Sequence, residues 1–201
     1  GGCEIGLRPI DLHLSSLRLM GAQIETEGGV LSCRCPDGLH GEKITLSFPS
    51  VGATENILIA AASADGETGI LNAAREPEIA DLADFLCSCG AHISGADSGE
   101  IKVCGVKKLH SAEHTVIPDR IIASTYMAAA AVTGGDVHIL DTRAEHITPV
   151  IPVFEQAGCK VDCGENSVHI SAPIRLRSVQ TVRTMPYPGF PTDSQAAVLA
   201  F

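Results

Sequence analysis

Tryptophan is absent from this 201-residue chain, and aromatic residues make up only 3% of it. A core without large rings must draw its volume from Leu, Ile, Val and Ala. Hydrophobic residues reach 45%, enough for a substantial core. Long apolar runs are missing too, and no stretch approaches the about 18 residues of a membrane span. Basic runs are equally scarce: the best cluster is Lys107-Lys108, and 14 Lys and Arg against 24 Asp and Glu leave a net charge of −10. Such a surface repels nucleic acid and anionic membranes, so neither is expected as a partner. A small anionic substrate stays possible, because a few arginines can set the field inside a cleft. The chain also lacks the C-x2-C pair of a zinc site. Its cysteines (Cys3, Cys33, Cys35, Cys87, Cys89, Cys104, Cys159 and Cys163) fall in C-x-C and C-x3-C spacings. Most read as buried thiols packing like small hydrophobes, not as a disulfide framework. The eight histidines show no H-E-x-x-H pattern. The expectations are therefore no metal, no cofactor and a cytoplasmic location.

What is present is repetition. Gly21, Gly90 and Gly158 lie 69 and 68 residues apart, each at the end of an amphipathic stretch. Glycine there can take the left-handed cap position without a Cβ penalty. After each comes a pair of alternating segments, 23–26 with 29–35, 92–94 with 100–104, and 160–162 with 167–170, which read as half-buried hairpins. A third strand and an Ala-rich helix follow: 44–48 with 53–64, then 115–117 with 120–132, then 179–183 with a helix from Thr192. Gly66 and Gly134 are read as closing the two complete helices. Strands 69–72 and 137–141 link consecutive copies. Ala60-Ala61-Ala62 and Ala128 to Ala131 allow close helix packing. A unit of this kind cannot cover its own apolar face, so neighbouring copies must cover it. The expected fold is α/β, with helices inside and sheets outside. No G-x-G-x-x-G follows a strand, which excludes a Rossmann sheet. The chain reads as an internal piece of a longer protein.

Five stretches carry candidate chemistry. Gly1-Gly2-Cys3 is a glycine loop around a thiol, and Arg8 could grip a phosphate or carboxylate bidentately. The loop could equally be bland. Ser50 and Gly52 sit at a strand-to-helix turn where free N–H groups can bind phosphate, or where Ser50 or Thr54 simply caps a helix. Arg75, between Asn72 and Glu78, reads as structural, paired with Glu76 or Glu78. Asp119 and Arg120 open the second Ala-rich helix as a cap and a surface or cleft arginine. Pro186 to Gln195 is a stiff proline turn leading into a helix. There Asp193 is either a cap or a general base.

Together these stretches resemble the UDP-N-acetylglucosamine enolpyruvyl transferases of peptidoglycan synthesis. The likeness is carried by Gly1-Gly2-Cys3, Arg8 to His13, Pro49 to Asn56, Asn72 to Glu78, Val116 to Arg120 and Pro186 to Gln195. A sister family acting on shikimate 3-phosphate lacks the Gly-Gly-Cys loop. The resemblance implies an inside-out α/β barrel of repeated units with inner helices and outer sheets. It implies that 1–180 is most of one three-repeat domain and that 181–201 begins the return into a second. Phosphoenolpyruvate and UDP-N-acetylglucosamine would be the substrates. It casts Cys3 as the thiol that reacts with phosphoenolpyruvate and with fosfomycin, and Asp193 as the base at the sugar 3-hydroxyl. It places Arg8 at the anionic groups, Pro9, Asp11 and Leu12 at the uridine, and Ser50, Val51 and Gly52 at the diphosphate. The family's N-terminal Lys-Asn pair and late arginines are not in this sequence, so the piece alone is expected to be inactive. Transfer to another acceptor, and a non-catalytic repeat module, are the other readings.

Overall fold

A computed structural model describes residues 9–201. The chain divides into two compact units that meet between Thr115 and Val116. The first holds α1 (Asp11–Leu19), β1 (Gln23–Glu27), β2 (Val30–Arg34), β3 (Lys43–Thr45), α2 (Val51–Ala61), β4 (Glu67–Leu71), α3 (Pro77–Ser88), β5 (His92–Ser94) and β6 (Glu100–Cys104). Strands β1 and β2 form a separate antiparallel hairpin. The other four make a sheet of order β3-β4-β6-β5, with β3 parallel to β4 and the remaining pairs antiparallel. Helix α2 packs between α1 and α3 and against β4 and β6. Its Ile57 and Leu58 are fully buried beside Ile44, Ile70, Ile79 and Ile101. Each such side chain contributes about 1.5–3 kcal/mol.

The second unit holds α4 (Arg120–Thr133), β7 (Asp136–Leu140), α5 (Ala144–Ile147), α6 (Ile151–Gln156), β8 (Lys160–Cys163), β9 (Ser167–Ser171), a 3-10 turn (Thr192–Ser194) and α7 (Gln195–Val198). Its sheet runs β7-β9-β8, antiparallel throughout. Helix α4 buries Arg120, Ala123, Ser124, Met127, Ala128 and Ala131, a stripe at helical spacing. The small alanines let α4 lie close to β7 and β9. Phe154, Val168 and Ile170 fill the remainder of this core.

The threefold repetition is visible in the backbone. Gly21, Gly90 and Gly158 have φ of 101°, 101° and 99°. Beyond each glycine, Ala22, Ala91 and Cys159 donate to the carbonyls of Leu17, Leu86 and Phe154. That is the six-to-one bond of a Schellman motif. The carbonyl just before each glycine is also used alike. Met20, Cys89 and Ala157 accept from the N–H groups of His40, His110 and Arg177. The side chains of those three donors lie against the three glycines.

Several expectations need correction. Segment 115–117 is not a strand: Val116 is 72% exposed, and Pro118 after it has no N–H to give a ladder. Segment 179–183 is not a strand either: Val179 and Val182 both pack on the core, and residues three apart cannot share one face of a regular strand. The first third strand is only Lys43–Thr45, and the helix from Thr192 is a short turn followed by four residues. Gly134 does cap α4 in the left-handed region, but Gly66 stands beyond a turn, directly before β4. Strand β2 is exposed along its whole length rather than half buried. Of the seven described cysteines, all free, only Cys89 and Cys159 are buried. Among the described residues no helix is long and apolar enough to cross a membrane, and no closed barrel forms.

Candidate active site

In the first unit the packing of α1 on α2 brings two of the candidate stretches together. Asp11 opens α1, exposed, with Pro9 exposed just before it. Leu12 is half buried against the core. His13 faces the start of α2, so that a Cβ on Gly52 would stand 3.2 Å from its Cε1. His13 Nδ1 is also 2.6 Å from Asn56 Nδ2. Ser50 is the N-cap of α2, and its Oγ accepts from the Ala53 N–H at 3.4 Å. Val51 and Gly52 follow in the first turn, where N–H groups have no intrahelical acceptor and the helix dipole is positive. Glu55, one turn further, has its carboxyl raised above the usual range by burial and then by Glu78, with His13 opposing. The packing of α1 on α2 thus sets His13 beside Gly52 and Asn56 at the start of α2.

In the second unit the proline turn is a compact hook. Met185 donates to the Phe190 carbonyl and Gly189 to the Pro186 carbonyl, both at 2.8 Å. Phe190 is buried, which fixes the hook to the core. Asp193 lies in the 3-10 turn and makes no capping bond there. Its carboxylate instead faces Arg120, with Oδ2 at 3.6 Å from Nη2. An open hollow of about 660 Å³, lined in part by Arg183, Thr184, Phe190 and Gln195, adjoins the turn.

Some assignments from sequence meet the structure and others do not. Asp119 is a cap, accepting from Ile121 and Ile122. Arg75 is structural: its Nε donates to the Asp97 carbonyl at 3.1 Å, and its backbone N–H donates to Glu76 Oε2 at 3.0 Å. Cys3 and Arg8 lie outside the described residues. Sequence reasoning missed the His13–Gly52–Asn56 contact and the Arg120–Asp193 pair. The second had a signal: Arg120 stands at the head of the i, i+3, i+4 stripe that α4 buries. Among the described residues no group of His, Cys, Asp or Glu could hold a metal ion.

The profile of the EPSP synthase (3-phosphoshikimate 1-carboxyvinyltransferase) family matches residues 1–200. The chain belongs to the EPSP synthase family. Relatives within reach of this family include the UDP-N-acetylglucosamine 1-carboxyvinyltransferase of Finegoldia magna, 50% identical over all of this chain and 48% of its own length. UDP-N-acetylglucosamine 1-carboxyvinyltransferase 1 of Halalkalibacterium halodurans is also 50% identical, over 45% of its length. The chain therefore spans about half the length of the curated relatives it matches. Among solved structures, an enolpyruvyl transferase from Streptomyces tendae superposes on 95% of the chain and 48% of its own, with a TM-score of 0.80 at 21% identity. That likeness concerns the fold. EPSP synthase from Acinetobacter baumannii superposes on 96% of the chain and 44% of its own, with a TM-score of 0.63 at 26% identity.

Proposed function

We propose that this chain is part of a longer enzyme that transfers the enolpyruvyl group of phosphoenolpyruvate to the 3-hydroxyl of UDP-N-acetylglucosamine, releasing phosphate at the first committed step of peptidoglycan synthesis. One observation carries the choice of acceptor. Identity over the full chain is 48–50% with relatives named for the UDP-sugar reaction, against 26% with an EPSP synthase of known structure. The inside-out barrel belongs to the same reading. It is supported by apolar side chains left exposed on helices, among them Ile59 of α2 and Ile122, Tyr126 and Val132 of α4. Inner helices would need such faces. In this reading 1–180 is most of one three-repeat domain and 181–201 starts the return into another.

Each residue type suits its part. Asp193, half exposed on a stiff turn, takes the proton of the 3-hydroxyl as that oxygen bonds to C2 of phosphoenolpyruvate. The Cys3 thiol gives a proton to C3, completing a tetrahedral adduct. Loss of phosphate together with a C3 proton restores the double bond and releases product. Arg8 holds the anionic groups of phosphoenolpyruvate and stabilises the charge that moves during addition. Ser50, Val51 and Gly52 offer helix-start N–H groups to the diphosphate. Pro9, Asp11 and Leu12, at the neighbouring end of α1, line the uridine. The reaction needs no cofactor.

The test is phosphate release from phosphoenolpyruvate by the full-length protein, with UDP-N-acetylglucosamine or shikimate 3-phosphate as acceptor. Turnover with the UDP-sugar alone is expected, lost in Cys3→Ala and Asp193→Asn, with fosfomycin labelling lost only in the first. Preference for shikimate 3-phosphate, or full turnover by Cys3→Ala, would overturn the reading. The isolated 201-residue chain should not turn over.

A further inference from the structure

Among the described residues, Arg120 is the one charged side chain in the buried set, 6% exposed at the first position of α4. Enclosing a guanidinium is costly unless its charge is met. The second unit meets it from two sides. Asp193 Oδ2 lies 3.6 Å from Nη2. The Tyr187 ring lies under the guanidinium carbon, 6.0 Å to its centroid, within cation–π range. Tyr187 is itself anchored, its hydroxyl donating to the Glu145 carbonyl at 3.2 Å. At 3.6 Å the arginine and aspartate make an ion pair, not a short hydrogen bond.

The turn that carries Asp193 is also held at a second point on the same helix. Ser194 Oγ is 3.4 Å from Ser124 Oγ, and both serines are buried. Arg120 and Ser124 are one helical turn apart on the buried stripe of α4. Their partners, Asp193 and Ser194, are adjacent. Two successive rungs of α4 therefore fix both the place and the facing of one carboxylate. That carboxylate is 51% exposed, so one side is engaged and the other is open.

We propose that Arg120 is the positioning residue for Asp193: it holds one carboxylate oxygen so that the other is presented to the acceptor hydroxyl. This rests on the proposed role of Asp193 as the base. The planar guanidinium is suited to the task. It can lie flat on Tyr187 while pointing an N–H edge at the carboxylate, which a lysine ammonium cannot do.

The experiment uses the full-length enzyme and a double-mutant cycle of Arg120→Met and Asp193→Asn, with kcat and KM for UDP-N-acetylglucosamine and circular dichroism as the folding control. Arg120→Met should lower kcat by about 100-fold or more, the scale of a mispositioned base, while KM moves less than about threefold. Arg120→Lys, keeping charge without the fork, should fall between, about tenfold down. The double variant should be no slower than Asp193→Asn alone, because the arginine acts through the aspartate. Losses that multiply, or Arg120→Met within about threefold of wild type, would overturn the proposal. If Arg120→Met does not fold, the cycle with Arg120→Lys is read in the same way, and an unchanged kcat there overturns it too. Full activity of Asp193→Asn sinks the base reading and this inference together. An inactive Asp193→Asn beside an active Arg120→Met sinks this inference alone.

Discussion

The hydroxyl of Thr54 joins two separate stretches of chain: it donates to the Ser50 carbonyl at 2.8 Å and accepts from the Ala74 N–H at 3.0 Å. Thr54 is fully buried, and so is Ala74. The start of α2 is thereby tied to the Asn72–Glu78 segment that leads into α3. Thr54→Val keeps the shape and removes both bonds, leaving a buried N–H without its acceptor. The expected cost is about 1–3 kcal/mol. Hydrogen exchange at the Ala74 amide reads it directly. Protection unchanged from wild type would show that the bridge carries no weight.

The three left-handed glycines should differ in how they tolerate Ala. Each substitution strains a backbone near φ of +100°, by about 1–3 kcal/mol. Gly158 has space around its Cβ position, with the first contact at 3.6 Å. At Gly90 the added carbon comes 3.0 Å from His110 Nε2, and at Gly21 it comes 2.8 Å from His40 Nδ1. Gly158→Ala should therefore destabilise its unit least and Gly21→Ala most, as measured by denaturant unfolding. The reverse order would mean that the rings swing aside freely.

Two helix caps offer a graded comparison. Asp119 Oδ1 accepts from Ile121 at 2.7 Å and Ile122 at 3.0 Å, whereas Ser50 Oγ makes a single long contact of 3.4 Å. Asp119→Ala should cost about 1–2 kcal/mol and Ser50→Ala about 0.5. Asp119→Asn should recover most of the loss. Urea unfolding midpoints at constant slope provide the check. Equal losses at the two sites would remove the link between geometry and cap strength.

A pH dependence follows from the outer face of the β7-β9-β8 sheet. His169 Nε2 lies 2.9 Å from Asp136 Oδ1, and Nδ1 lies 3.8 Å from Asp162 Oδ2, with the His138 ring 5.4 Å away. The hydrogen bond to Asp136 raises the imidazole above its ordinary 6.5, more than burial lowers it. The bond from His169, then that from Ser171, holds Asp136 below its ordinary 3.8. A raised histidine adds stability that is complete below 6.5 and is lost as pH climbs through its folded value. A lowered carboxylate adds stability that is present above 3.8 and is lost as pH falls through its folded value. The pair should stabilise most between those two ordinary values, by a small amount that salt screens. His169→Gln should thus lower Tm near pH 5 in low salt and converge with wild type at alkaline pH. A constant offset across the whole range would rule out the ionic contribution.

Much of this fold was written in periodicities. The glycine spacing, the hairpins and the heads of α3 and α4 came through because each depends on local backbone chemistry. The strands expected at 115–117 and 179–183 did not form, since a place in the repeat does not supply a ladder partner. The cysteines misled for a related reason: a thiol's burial is set by which face of its element meets the core, and Cys33, Cys104 and Cys163 on strands and Cys87 on α3 are all exposed. At the site, Asp193 was legible as a carboxylate on a rigid turn, but its counter-charge was not. That depends on a contact across 73 residues of chain, between the head of α4 and the turn at 192–194. His13 and Gly52 were each noticed within their own stretches, and only the packing of two helices makes them neighbours.

The clasp in which His40, His110 and Arg177 return to the carbonyls of Met20, Cys89 and Ala157 also governs where the three copies are free to diverge. The clasped residues stand twenty, twenty-one and twenty positions apart, and in each copy the second strand ends six residues before the clasp. Between paired strands, by contrast, the tips hold two, five and three residues. A longer tip goes with a shorter first strand, of five, three and four residues, so the copies differ at the far end of each ring and hardly at all in its total length. A descendant of this chain can therefore lengthen a fingertip and leave the knuckle as it was.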